Sequence, residues 1–201
     1  MTKEKFKEAS EKERRLYLAV RHPLTIVFAH FTMFIYGMCL QSFLSSYRRH
    51  WDSLAVLFLY AGMAIFLFTY FGPLTWFLTL FLPLFLVHML GAYLFYAQHN
   101  FPGVKFRRNV EWSYEHAALE SSSYMRMNPF LQWATANIGF HHIHHINSKI
   151  PFYRLPEAMA KIPELQTCSV TTLRPADIIQ CLRLKVWDPG QNKMVGLSEI
   201  N

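Results

Sequence analysis

Two long stretches without charge constrain this chain more than any other feature. No Asp, Glu, Lys or Arg occurs between Arg21 and Arg48, and none between Asp52 and Lys105. Water-soluble domains have little use for uncharged stretches of that length. A bilayer requires them, because one helical span takes roughly 20 apolar residues. The composition agrees: 52% of the chain is hydrophobic and 16% charged, against about 25% charged in an average globular protein.

The runs divide the chain. Residues 1–22 are charged and helix-prone, with Ser10 and Glu13 at capping-box spacing; a solvated surface helix is the expectation. The opening Met1-Thr2-Lys3-Glu4-Lys5 lacks the pattern of a signal peptide. Residues 23–47 form the first apolar run. Residues 53–71 and 74–97 form the second and third, each long enough to span at about 1.5 Å per residue. Gly72-Pro73 breaks the helix between them, because proline lacks an amide and clashes with the preceding turn. The pair predicts a transmembrane helical hairpin.

Basic residues set the orientation. Arg48 and Arg49 precede the hairpin, and Lys105, Arg107 and Arg108 follow it, so both ends face the cytoplasm. The first run has basic residues at both ends, which an interfacial or re-entrant segment satisfies better than a third span. Residues 99–201 then form a cytoplasmic portion, with helical signals around 111–127 and 129–147. A last helix starts near Pro175, where Ile178, Ile179, Leu182 and Val186 share a side. Glu111 and Glu115 stand at helical spacing and solvate a face. The fold class expected is an all-α integral membrane protein: a transmembrane hairpin plus a cytoplasmic helical portion. The net charge is +7, but no nucleic-acid-binding motif accompanies it. Cys39, Cys168 and Cys181 have no paired spacing and read as free thiols.

The strongest chemical signal is Gly139-Phe140-His141-His142-Ile143-His144-His145. On a helix, His141, His144 and His145 stand at i, i+3 and i+4, so three imidazoles share one face. Neutral imidazole is the commonest protein metal ligand and suits iron, zinc, copper and nickel. His99 closes the third apolar run on the same side of the membrane and is a fourth candidate ligand. His142, Asn137 and Gln98 are candidates to support the ligands. His22, His30, His50, His88 and His116 lack ligand spacing, although His88, inside a span, needs a partner. Neither HExxH nor Glu-x-x-His is present, which excludes the zincin and carboxylate di-iron templates.

Four strings give these histidines a context: Phe95-Tyr96-Ala97-Gln98-His99, Ala117 through Tyr124, Leu131-Gln132-Trp133 through His145, and Ile150-Pro151-Phe152-Tyr153-Arg154-Leu155-Pro156-Glu157. Together they resemble the membrane fatty acid desaturase family, of the type that acts on acyl chains of lipids. The resemblance implies a pair of irons that activate O2 and remove two hydrogens from a saturated carbon pair. It also implies an electron donor of ferredoxin or cytochrome b5 type. Ligand roles carry over to His141, His144 and His145, and to His99. The family has three histidine boxes, and the first 98 residues hold neither of the first two. The resemblance therefore implies a C-terminal portion with four of about eight histidines, completed by a complementary N-terminal half and inactive alone. A truncated relic, or a membrane hydroxylase or ketolase, is the alternative.

Overall fold

The structure is a computed structural model that describes residues 1–106 and 113–200. Arg107, Arg108 and Glu111, invoked above, lie outside the described residues. The chain forms two compact units: His22–Tyr93, and Met1–Arg21 together with Leu94–Asn201.

The first of these is built from the apolar runs. Helix α1 (Lys3–Glu8) and α2 (Glu11–Val20) precede it in the chain. The first run comprises α3 (Pro23–Val27), a π-helix (His30–Gln41) and α4 (Ser42–Ser45). Pro23 occupies a first-turn position, where its missing amide costs nothing, and His22 Nδ1 accepts the Leu24 amide at 3.2 Å. The Thr32 hydroxyl donates back to the carbonyls of Phe28 and Thr25, a bond that loosens helical turns. Helix α5 (Trp51–Phe71) follows, and Gly72 stops it with φ at 88°.

The third run is α6 (Pro73–Trp76), a π-helical turn (Phe77–Phe81) and α7 (Leu82–His99). The π turn has a local cause. Pro83 has no amide for the carbonyl four residues back, and its ring pushes that carbonyl away. Trp51–Phe71 and Pro73–His99 are both long and apolar enough to cross a membrane. Their side chains stand exposed, as with Phe58 at 69% and Leu59 at 73%. Water would penalise that surface and lipid would not.

The first run packs on this hairpin through rings: Phe28 on Phe85, Phe31 on Phe81 and Phe34 on Tyr60. His30 is fully buried among them. Its Nδ1 lies 3.4 Å from His88 Nδ1, and its Nε2 lies 3.0 Å from the Tyr60 hydroxyl. His88 Nδ1 also faces the Leu84 carbonyl. The partner that His88 needed is therefore His30.

The other unit is mostly helical but not all-α, which corrects the expectation. It adds α8 (Tyr114–Glu120), β1 (Tyr124–Arg126), α9 (Pro129–Ala134) and α10 (His141–Ile146). Then come α11 (Leu155–Lys161), β2 (Val170–Thr172), α12 (Pro175–Arg183), β3 (Val186–Asp188) and β4 (Lys193–Val195). The two helices anticipated over 111–147 are thus three short helices and a strand. β1 pairs in parallel with β2, Met125 opposite Thr171, and β3 pairs antiparallel with β4.

Among the described residues, two clusters hold this unit. Phe140, Ile143, Leu155 and Leu165 form one beneath α10. Phe6, Val186, Val195 and Ile200 form the other, with Tyr17 and Leu18 against it. Each buried large side chain contributes about 1.5–3 kcal/mol. The N-terminal segment is therefore not wholly solvated: its capping box at Ser10 and Glu13 is present, yet α1 buries Phe6. Val186, expected on the face of the last helix, belongs to β3, and Ile179 on that helix is 48% exposed.

Candidate metal centre

Helix α10 is delivered by an unusual turn. Helix α9 ends at Ala134, and Ala136 and Asn137 then adopt left-handed φ of 51° and 56°. Alanine there costs about 1–2 kcal/mol, so surrounding bonds must hold the turn. A 3₁₀ turn, Ile138–Phe140, leads directly into α10. The Gln98 amide donates to the Ile138 carbonyl at 2.9 Å, and the Gln132 amide donates to the Met125 carbonyl at 3.1 Å. The Gln132 amide lies flat on Gly139. A Cβ at Gly139 would meet the Met125 carbonyl, and it would stand 2.6 Å from both Gln132 side-chain polar atoms. Only glycine fits beneath that amide.

The turn aims His141 and His145 at His99, the last residue of α7. The three Nε2 atoms lie 2.9, 3.0 and 3.3 Å apart. His99 Nδ1 faces the Ser121 carbonyl at 3.3 Å, which assigns it the proton. Its Nε2 is then a lone pair turned towards two other imidazole nitrogens. Three such contacts cannot all be good hydrogen bonds, because the three rings bring too few protons to that point. A cation resolves the conflict. Ligand bonds near 2.1 Å separate neighbouring nitrogens by about 3.0–3.4 Å, so the donor set fits a metal ion, with His99, His141 and His145 able to hold it.

Electrostatics favours the same use. Burial first, then His145, His99, His144 and His142, pushes the His141 pKa down to about 3. Burial, then His99 and His144, lowers that of His145. Both rings are neutral at neutral pH, as ligands must be. An open cavity of about 240 Å³ adjoins His99 and His145, with Ala117, Ala118, Ser121 and Ser122 on its wall. The Phe95 ring, 59% exposed, stands edge-on to His99 at 5.1 Å and to His141 at 6.1 Å.

The other candidates fall elsewhere. His144 is outside the convergent group; its ring stacks parallel to His141 at 5.9 Å between centroids. The shared helix face therefore delivers two rings to His99 and leaves the third beside them. His142 is fully buried on the opposite side, edge-on to Tyr124, with neither ring nitrogen hydrogen-bonded. Burial brings its pKa to about 4, offset weakly by the Leu165 backbone, which does not reach hydrogen-bond geometry. Asn137 donates its side-chain amide to the Phe152 carbonyl at 3.0 Å. Gln98 holds the turn, as described. Ser121 and Gln132 were not singled out for these tasks: one acts through its carbonyl, which any residue would offer, and the other through a glycine seven residues on.

The comparisons with known proteins identify the family. The family model for fatty acid desaturases matches residues 4–171. The chain belongs to the fatty acid desaturase family. A protein named fatty acid desaturase from Bacillus subtilis (strain 168) is 37% identical over 119 residues, 59% of this chain. The chain covers 33% of the length of that relative. With two helices fit to span, this desaturase-family chain is an integral membrane protein.

Proposed function

We propose that the chain is the C-terminal, metal-binding part of a di-iron desaturase that introduces a double bond into a lipid acyl chain. The observation that carries the reading is the triad of facing Nε2 atoms on His99, His141 and His145, in a chain of this family. Iron held there would supply the oxidising power, with O2 and two electrons from a ferredoxin or cytochrome b5 type donor, that an unactivated C–H bond demands. The chain's own residues do the rest. Ser121 fixes the His99 tautomer, as outer partners of ligating histidines do. Gln98 and Gln132 fix the approach of α10. Phe95 offers an exposed apolar ring beside the ligands, against which an acyl chain can lie.

His144 is the ligand we assign to a second iron, whose remaining ligands come from a complementary N-terminal segment. The family resemblance implies about eight histidines for a pair of irons, and this chain offers four candidates. The basic flanks of the hairpin support a cytoplasmic position for the histidines. The test is the iron content and fatty-acid profile of cells making this chain alone, then with the N-terminal half of a relative. Alone, we expect weak, sub-stoichiometric metal binding and no new unsaturation; together, two irons per assembly and turnover. Robust unsaturation from the single chain overturns the ligand count.

A further inference from the structure

His99 is followed by a side chain whose polar groups are all engaged. Asn100 is 4% exposed. Its Nδ2 shares two N–H groups among the Cys181 carbonyl at 2.7 Å, the Tyr96 hydroxyl at 2.9 Å and the Leu184 carbonyl at 3.1 Å. Its Oδ1 accepts from Arg21 Nη1 at 3.1 Å. The two carbonyls lie at the C-terminal end of α12, where a helix leaves its last carbonyls without internal partners. Asn100 is thus a cap brought from a distant part of the chain.

Arg21 is itself held. Its guanidinium lies over the Tyr17 ring at 5.0 Å and the Tyr96 ring at 6.0 Å. Its carbonyl accepts Lys185 Nζ at 2.7 Å, and the Tyr17 hydroxyl donates to the Lys185 carbonyl at 2.7 Å. A cation at this point also suits the negative end of α12. The chain from residue 172 onward lies outside the match to the family, so α12 and the β3–β4 hairpin are a part of this protein that the family assignment does not explain.

We propose that Asn100 is a positioning residue for the metal triad: with Arg21 it fastens the end of α7 to α12, and so sets the rotation and height of His99 against α10. The reading rests on metal binding by His99, His141 and His145. The adjacency is what gives it force. A change of backbone angle at residue 100 turns the Cα of residue 99, whereas the ligand geometry tolerates displacements of only about 0.5 Å.

The experiment uses Co²⁺ as probe on the purified full chain in lipid nanodiscs, reading affinity and the ligand-field absorption spectrum. Asn100→Ala should weaken Co²⁺ binding 10–100-fold, the cost typical of losing an outer partner of a ligand, and should change the spectrum. Arg21→Gln, further from the metal, should move both in the same direction by several-fold. Cys181→Ala is the control, because it loosens the same buried neighbourhood while keeping the carbonyl that Asn100 binds; it should lower thermal stability and leave the spectrum alone. If Asn100→Ala does not fold, Arg21→Gln decides. Wild-type affinity and spectrum in the tested variant, or the same spectral change in Cys181→Ala, overturn positioning alone. Absence of Co²⁺ binding by the wild type, or binding that survives His141→Ala, overturns the metal reading and this proposal with it.

Discussion

The protein contains two histidine clusters, and they solve opposite problems. In the membrane unit, His30, His88 and Tyr60 form a chain in which each contact can hold one proton: His30 uses Nδ1 towards His88 and Nε2 towards Tyr60. Such a set is satisfied by itself, as an intramembrane polar group must be. In the other unit His99, His141 and His145 present the same atom, Nε2, to a common point. That set could hold a cation. Ring proximity is alike in both, and the identity of the facing nitrogens tells a clamp from a ligand set.

The largest effect should separate them outright. His141→Ala should cost metal affinity more than the 10–100-fold of an outer partner, while His30→Ala should leave affinity within about threefold of wild type. Co²⁺ titration of the purified variants reads both, and equal losses would erase the distinction. Gly139→Ala should come next. Its Cβ would strike the Met125 backbone and the Gln132 amide, and overpacking of this kind costs roughly 1–3 kcal/mol or more. Thermal unfolding should show that loss together with weakened metal binding, because the same turn aims α10.

His30→Ala should destabilise the membrane unit by about 1–3 kcal/mol, since Tyr60 loses its His30 contact and His88 keeps only the Leu84 carbonyl in an apolar setting. Tyr60→Phe, which removes one end of the chain, should cost about half as much. Unfolding in detergent with denaturant measures both; no loss in either variant would mean the cluster is not a clamp.

pH should sharpen the contrast in the metal-free protein. The folded pKa values of His141 and His142, about 3 and about 4, lie below the ordinary 6.5. The folded state then excludes protons that the unfolded chain binds. Stability from these burials is complete above about pH 6.5 and is lost progressively as pH falls towards 4 and 3. A stability profile flat from pH 7 to 4 would contradict it. The smallest effect concerns the turn alone: Ala136→Gly relieves a left-handed alanine and should raise stability slightly, by up to about 1 kcal/mol, seen as a small rise in melting temperature. A loss of stability there would show that the Ala136 methyl is needed.

The hairpin was legible because charge is absent over residues 53–104, and a bilayer leaves few other uses for such a run. The helix at His141–Ile146 was legible from the spacing of its imidazoles. What stayed hidden depends on contacts distant in sequence. β1 is three residues long and exists because Val170–Thr172 pairs with it, and no periodicity in Tyr124-Met125-Arg126 announces that. The shift of Val186 from a helix face to a strand follows from its partner Val195 and from Phe6. Asn137 has ligand-like spacing before His141, but the left-handed turn breaks the helix on which that spacing rests. His144 has the spacing too, yet the single α7 ligand meets only the rings one turn apart.

The clamp at Asn100 also sets a schedule. Its amide grips the carbonyl of Leu184, 84 residues further on. At roughly 5–20 residues per second of synthesis, that carbonyl is made about 4–17 s after Asn100 itself. For that interval the end of α7 lacks its tie to α12, and the rings of α10 are made within the same window. On the proposed reading, an ion arriving early would meet loose imidazoles, and metal loading would follow the docking of α12.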